Sequence, residues 1–475
     1  MRTPVARALI VLSSLAFASL ADAADQAVAP ASDSQRPTLV VRPADASWWL
    51  SGQINVITQA HPAFPAAYSG DQSLRPVAEQ ATSYVGTLQS GFRLTATTEA
   101  IVHVEMAGGN GVSSAYGMGG FFNLDVVRNP TLSREPYLAR LLVHQMIPLS
   151  LQWEDVARGP LQAGARVPVR RIDLWAGKLG TVDFFDRNSV GSDSHLQFLN
   201  WTVDNNGAFD YAADTRGYTY GLMVAYESPA TAARLGVMLM PKTANGSIYD
   251  WDLRHARGQN LEVERRYQLG GRRGVVRALV FLNNARMGRY RAAIDSFLAD
   301  PALDNGCRAA TEAEQGRRLP GPVIECSRVE GRTKYGVGLN GEQEVGRYLR
   351  LFARLGWNDG HTETFAYTEV DSAVAVGLDL DGALWRRGLD RIGLAAVSNG
   401  LSADHRQYLA LGGKGFLLGD GRLSYGRETI VEGYYTALVG WGLSVSADVQ
   451  VAARPGYNRD RGPAFVGALR LHLEI

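Results

Sequence analysis

Between residues 183 and 216 the sequence interleaves two kinds of side chain. Asp183, Asp186, Asn188, Asp193, Asn200, Asp204, Asn205, Asp210 and Arg216 donate or accept hydrogen bonds, several of them as forks. Phe184, Phe185, Phe198, Trp201, Phe209 and Tyr211 present flat apolar faces. Together they suit a solute with hydroxyls all round and C–H faces between them. A purely structural reading stands beside this one. Asn, Asp and Gly are turn formers, and the aromatics would hold a loop against a wall. Enzyme chemistry finds no foothold. There is no Gly-x-Ser-x-Gly elbow and no His-Glu-x-x-His. The eight histidines are scattered, with no close pair to bind a metal. GVGLNG at 336–341 fits a dinucleotide glycine pattern but sits inside an alternating segment and opens no helix. No residue is assigned as catalytic or metal-ligating, and no cofactor is implied.

The elements that must position these groups have a period of two. Leu443, Val445, Ala447, Val449 and Val451 share one face, and Ser444, Ser446, Asp448 and Gln450 the other. Phe465, Gly467, Leu469, Leu471, Leu473 and Ile475 alternate with Val466, Ala468, Arg470, His472 and Glu474. Such alternation marks a strand with one apolar and one wet face. Sixteen candidates recur, near 47–60, 83–95, 97–107, 138–151, 167–178, 216–227, 232–240, 260–269, 274–283, 334–344, 347–357, 373–381, 391–398, 430–440, 443–451 and 463–475. Most run for about 9–13 residues, enough to cross a bilayer obliquely.

Connections alternate in length. Gly270-Gly271, 341–346 and 439–442 are short turns; 61–82, 108–137, 179–215, 284–333 and 399–429 are long, polar and rich in Gly and Asn. Short turns on one side and long loops on the other is the pattern of a transmembrane barrel. A soluble sandwich would not need that asymmetry. The expected fold is therefore all-β: a closed transmembrane antiparallel β-barrel of about sixteen strands, wide enough for an aqueous channel. Closure also pairs every backbone N–H and C=O in lipid.

Composition sets the remaining bounds. Of 475 residues, 46% are hydrophobic and 20% charged. Arg2, Arg7, the apolar run from Ala8 to Leu20 and Ala21-Asp22-Ala23 form a signal peptide over 1–23. Its removal leaves 452 residues and turns 48 basic against 47 acidic into 46 against 46. A nucleic-acid partner is excluded on that balance. All but four of the cations are Arg, a bias that a GC-rich genome or a demand for guanidinium forks would give. Residues 24–46 read as a flexible periplasmic leader and 47–475 as the barrel. No apolar run is long enough for a spanning helix. In an oxidising compartment Cys307 and Cys326 are expected to form one disulfide, worth roughly 3 kcal/mol in the chain-entropy model.

Residues 175–221 read WAGKLGTVDFFDRNSVGSDSHLQFLNWTVDNNGAFDYAADTRGYTYG. MPKTANG at 240–246, FLNNARMG at 281–288, GWNDG at 356–360, AYTE at 366–369, NGLS at 399–402 and YNRDRGP at 457–463 follow in order. This resembles the bacterial carbohydrate-selective porins of the OprB type over almost the whole mature chain. The resemblance implies a sixteen-stranded barrel of the bacterial outer membrane that admits mono- or oligosaccharides by facilitated diffusion, narrowed by inward-folded loops. It does not carry the leader or the cysteine loop. Outer-membrane barrels also share an alternating terminal strand that their assembly machinery reads; Ile475 departs from their terminal Phe or Trp. Sugars, outer-membrane lipid and lipopolysaccharide, and the barrel-assembly machinery are the partners implied, with a homotrimer or a monomer both open. A general or other-solute porin, an outer-membrane lipase barrel and a plugged adhesin are the competing readings.

The candidate solute contacts fall in two groups. From the loop block come Asp186, Asn188, Asn200, Trp201, Asp204, Asn205, Asp210, Tyr211 and Arg216. From strand parity come Arg171, Asp173 and Trp175, opposite Ile172 and Leu174; Glu262, Glu264 and Arg266; and Arg350 and Arg354, opposite Leu349, Leu351 and Leu355. For these wall positions the structural alternative is an inner-face ion pair that stabilises the barrel. Asn358-Asp359-Gly360 reads as a turn at a strand end.

Overall fold

A computed structural model describes residues 46–125, 132–299, 306–315 and 321–475. The signal peptide and all but the last residue of the leader lie outside the described residues. Sixteen strands close an antiparallel barrel. They are β1 (Trp48–His61), β2 (Glu79–Arg93), β3 (Thr98–Gly109), β4 (Tyr137–Pro148), β7 (Arg171–Leu179), β8 (Thr219–Glu227), β9 (Thr231–Leu239) and β10 (Arg257–Leu269), followed by β11 (Arg272–Met287), β12 (Val329–Glu344), β13 (Leu349–Asn358), β14 (Ser372–Asp381), β15 (Arg391–Gly400), β16 (Glu428–Gly440), β17 (Leu443–Ala453) and β18 (Ala464–Glu474). Two short strands, β5 (Trp153–Asp155) and β6 (Arg166–Pro168), pair only with each other. The ring closes between β1 and β18, from Gln53 opposite Glu474 to Ala60 opposite Gly467.

Every one of the sixteen expected segments is a barrel strand. One boundary is corrected: 166–168 belongs to the small hairpin, and the wall strand starts at Arg171. The strand ends joined by the connections β1–β2, β3–β4, β7–β8, β9–β10, β11–β12, β13–β14, β15–β16 and β17–β18 lie at one end. At the other end lie 94–97, 228–230, 270–271, 345–348, 382–390 and 441–442. The tightest are two-residue hairpins, Gly270-Gly271 with φ of 58° and 74° and Trp441-Gly442 with φ of 53° and 77°. The connection 149–170 is long yet lies at the short-turn end, an exception the length pattern did not foresee.

Alternation places the two faces in different solvents. On β10, Leu261 and Val263 are 48% and 46% exposed, whereas Asn260, Glu262 and Glu264 are buried in the interior. An apolar outer belt with a polar inner wall is what lipid and water respectively demand. Val263→Arg is therefore expected to destabilise the barrel by roughly 2–4 kcal/mol, the cost of a cation at the bilayer midplane. Refolding into lipid vesicles against urea measures it; an unshifted midpoint would place Val263 away from lipid.

The interior is not an empty cylinder. Residues 180–218, between β7 and β8, fold inward and bury Phe185, Val190, Phe198, Val203 and Phe209 to 1% exposure or less. The wall is cut to receive them. A Cβ at Gly356 of β13 would lie 1.9 Å from Asn206 Oδ1, and one at Gly338 of β12 would lie 3.0 Å from Asn206 Nδ2. The Asn206 amide donates to Leu355 O from that slot.

Candidate pore constriction

Inward-facing acids staple the folded-in loop by accepting from its backbone. Glu262 accepts from Asp186 N at 2.7 Å, Glu342 from Ser189 N at 2.8 Å, and Glu432 from Leu199 N and Asn200 N. Arg354 adds a cationic clamp. It donates to Val203 O at 2.6 Å and Asp186 O at 3.1 Å, pairs with Asp186 Oδ2 at 3.1 Å, and also reaches Ser192 Oγ. Arg470 donates to Ser194 O at 2.7 Å. A loop held at so many points by charge-assisted bonds is a fixed part of the channel wall.

Beside this loop lies a cavity of about 380 Å³. Loop residues Asp183, Phe184, Arg187, Asn188 and Ser189 line one side, and Arg234, Glu264, Arg266, Arg277 and Glu342 the other. The wall groups belong to a belt of alternating charge on adjacent strands. Arg234 on β9 donates to Glu227, Glu262 and Glu264 at 2.9–3.1 Å. Arg266 on β10 meets Glu264 at 2.6 Å and Glu227 at 2.9 Å. Arg277 on β11 bridges Glu264 at 2.8 Å and Glu342 at 2.9 Å. Farther round, Asp379 on β14 holds Arg350 and Arg391. Neighbouring strands lie about 4.8 Å apart, so the belt sets opposite charges side by side along one wall of the cavity. Asp183 on the loop side is charged as well. Burial pushes its carboxyl up, but the ion pair with Arg140 at 2.7 Å and the Gly180 N–H hold it below the usual carboxylate range.

The structure divides the expected contact residues. Asn188, Glu264 and Arg266 line the cavity. Arg350 sits at its edge, donating to Ser189 Oγ at 3.2 Å, and Glu262 sits behind Arg234. Most of the loop block works inside the loop instead. Asn200 caps the Trp201–Asp204 helical turn, Trp201 stacks on Tyr367 at 5.7 Å, and Asn205 bonds Asp204. Asp210 accepts from Phe365 N and Ala366 N and faces Lys334, while Tyr211 packs on Phe209 and Tyr367. Asp186 and Arg354 form the buried clamp, and Arg216 lies over the Tyr137 ring at 3.8 Å. Arg171, Asp173 and Trp175 form a separate wall cluster. Asp173 takes Arg171 at 2.9 Å and His144 at 2.9 Å, and Trp175 stacks on His144 at 3.6 Å. Arg234, Arg277 and Glu342 were missed, although charge on the polar face of an alternating strand was the signal for all three. Asn358-Asp359-Gly360 is a turn: Asn358 Oδ1 accepts from Gly360 N, and Gly360 has a φ of 58°.

The long loops at the opposite end from the tight turns pack into the same apolar cluster as the folded-in loop, through Tyr290, Ile294, Ile324 and Tyr408. Cys307 and Cys326 are joined by a disulfide. His405, on the Ala403–Ala410 helix, stacks on Tyr290 at 4.2 Å and faces Asp371 at 3.0 Å and Glu369 at 3.7 Å. Burial opposes its charge, but the two carboxylates outweigh it and raise the imidazole to about 9. A raised folded value stabilises fully below the unfolded value of about 6.5 and is lost as pH climbs through about 9. Hydrogen exchange of the 403–410 amides is expected to quicken beyond its intrinsic pH dependence across that window, and His405→Gln to abolish the excess. Identical pH dependence in both proteins would exclude the linkage.

Known proteins share this fold. No curated protein sequence matches the chain. The high-pH structure of Pseudomonas putida OprB superposes with a TM-score of 0.65 at 16% identity, covering 90% of this chain and 94% of that one. The outer membrane channel DcaP of Acinetobacter baumannii aligns with a TM-score of 0.49 at 10% identity, covering 90% and 97%. The family model described as carbohydrate-selective porin, OprB family, matches residues 71–474. The chain thus belongs to the OprB family of carbohydrate-selective porins, channels of the bacterial outer membrane.

Proposed function

We propose that sugars cross the barrel by passive diffusion through the cavity between the folded-in loop and the β9–β12 wall. We further propose that Arg234, Arg266, Arg277, Glu264 and Glu342 form its weak binding site. The single observation that carries this is the belt of paired opposite charges lining a space of about 380 Å³. Guanidinium and carboxylate forks exchange hydrogen bonds with successive hydroxyls. Phe184, with its neighbour Trp175 at 5.2 Å, offers an aromatic face for C–H groups. Oriented water in such a field penalises an apolar solute and little disturbs a polyhydroxyl one. Binding stays weak because water competes at every group and a tight site would stop flux. A porin for anions would leave its cations unanswered here; the four guanidiniums of Arg187, Arg234, Arg266 and Arg277 instead share the space with the three carboxylates of Asp183, Glu264 and Glu342, and Glu227 and Glu262 pair with Arg234 beside it.

The apolar outer belt supports contact with outer-membrane lipid and lipopolysaccharide, and the alternating β18 supports reading by the assembly machinery. Removal of residues 1–23 at export leaves 24–46 as a periplasmic leader on this reading. Swelling of proteoliposomes with monosaccharides, disaccharides and amino acids tests the transport. Sugars are expected to enter faster than amino acids of equal size. Equal rates would reject selectivity, and neither swelling nor conductance would reject the pore.

A further inference from the structure

The connection 149–170 is out of place. A strand-to-strand link at the short-turn end needs only two to five residues; those at 94–97, 228–230, 270–271, 345–348 and 441–442 obey this, 382–390 runs to nine, and 149–170 runs to twenty-two. This one forms the β5–β6 hairpin and sends its tip, 156–165, into the lumen. Glu99 of β3 faces inward and accepts from Gly164 N at 2.6 Å, Ala163 N at 3.2 Å and Gln162 Nε2 at 3.2 Å. Farther up the same strand, His103 Nε2 meets Pro160 O at 2.9 Å. Both wall residues are 0% exposed. From Thr98 at the rim to His103 is five strand residues, about 16 Å along a tilted strand. The tip thus rises through roughly half of an apolar band about 25 Å tall.

The wall is shaped for this visitor. A Cβ at Gly91 of β2 would stand 2.9 Å from Ala163 Cβ. Arg158 ties the tip together through Ala163 O at 2.6 Å and also bonds Trp48 O at the rim. The tip is also linked to the cavity. His103 Nδ1 lies 3.4 Å from Arg140, whose guanidinium pairs with Asp183, a cavity-lining residue. A mere rim turn would have no reason to bury a carboxylate just inside the rim and an imidazole about halfway up the wall. Burying them requires compensating bonds, which the tip supplies.

We propose that residues 156–165 are a second filter, entering from the short-turn side, that restricts the size of the sugar able to pass. This rests on the chain being a channel but not on the cavity being the binding site. Ala157 and Pro160 are exposed on the tip, where a passing solute meets them. Oligosaccharides too long to turn past the tip are the class it holds back.

Replacing 157–164 by two glycines in the full-length porin tests this. Single-channel conductance is expected to rise about twofold, as a wider aqueous path requires. The swelling rate with a trisaccharide is expected to rise several-fold more than that with a monosaccharide. An unchanged ratio of the two rates in a heat-modifiable, folded barrel would overturn the proposal. Should the deletion fail to fold, Pro160→Cys serves, since Cys307 and Cys326 are bridged to each other. Its reaction with a cationic methanethiosulfonate is expected to cut the open-channel current by about a third or more. Full labelling by mass with no loss of current would equally overturn it. Failure of the cavity reading would show separately, as Arg277→Ala leaving sugar block of the current unaltered.

Discussion

Arg354→Ala is expected to raise single-channel conductance about twofold and to erase the preference for sugars over amino acids of equal size. The side chain is 2% exposed and holds the folded-in loop through Val203 O, Asp186 O, Asp186 Oδ2 and Ser192 Oγ. Removing it leaves Asp186 a buried carboxylate with its cation gone, a loss of roughly 3–5 kcal/mol in comparable buried pairs. The cheapest relief is for the loop to leave the wall and let water reach Asp186. The cavity then loses the side formed by Asn188 and Ser189. Arg354→Lys is expected to recover only part of the wild-type behaviour, because an ammonium reaches Asp186 but cannot fork to two carbonyls. Planar-bilayer recordings with sugar titration decide this. Wild-type conductance and sugar block in Arg354→Ala would mean that the Glu262, Glu342 and Glu432 staples suffice alone.

Glu264→Gln is expected to turn the channel towards anions and to weaken sugar block about tenfold, the loss of one charge-assisted hydrogen bond of roughly 1.5–3 kcal/mol. One carboxylate receives three guanidiniums: Arg234 at 3.0 Å, Arg266 at 2.6 Å and Arg277 at 2.8 Å. Gln keeps the shape and removes the charge, so the forks lose the group that aims them into the cavity. The local balance also moves by one positive charge in the cavity wall, where salt screens poorly. The reversal potential in a potassium chloride gradient reports the sign. It is expected to shift towards chloride for Glu264→Gln and towards potassium for Arg277→Ala. An unmoved potential in both would place the ion path away from this belt.

The sequence by itself determined the barrel. Lipid outside and water inside impose a two-residue period on every strand, and that pattern is local, so it was readable segment by segment. The same parity turned Glu262, Glu264, Arg266, Arg350 and Arg354 inward, as the structure has them. Their neighbours Arg234, Arg277 and Glu342 carried an equal signal, and only the position of the loop set them apart.

Tertiary structure alone decided which polar groups face open space. Asp186 became a strut because Asn340 and Arg354, more than 150 residues away, stand beside it. Asn188, two positions on, reached the cavity. Nothing local distinguishes the two, since a folded-in loop has no period and its contacts are chosen by the wall it meets. The same holds for 149–170. Its length was legible, but its path into the lumen depends on Glu99 and His103 waiting on another strand with bonds to offer. Alternating solvents fix a strand's faces from within the strand; a loop's role is fixed by partners that only the closed barrel brings to it.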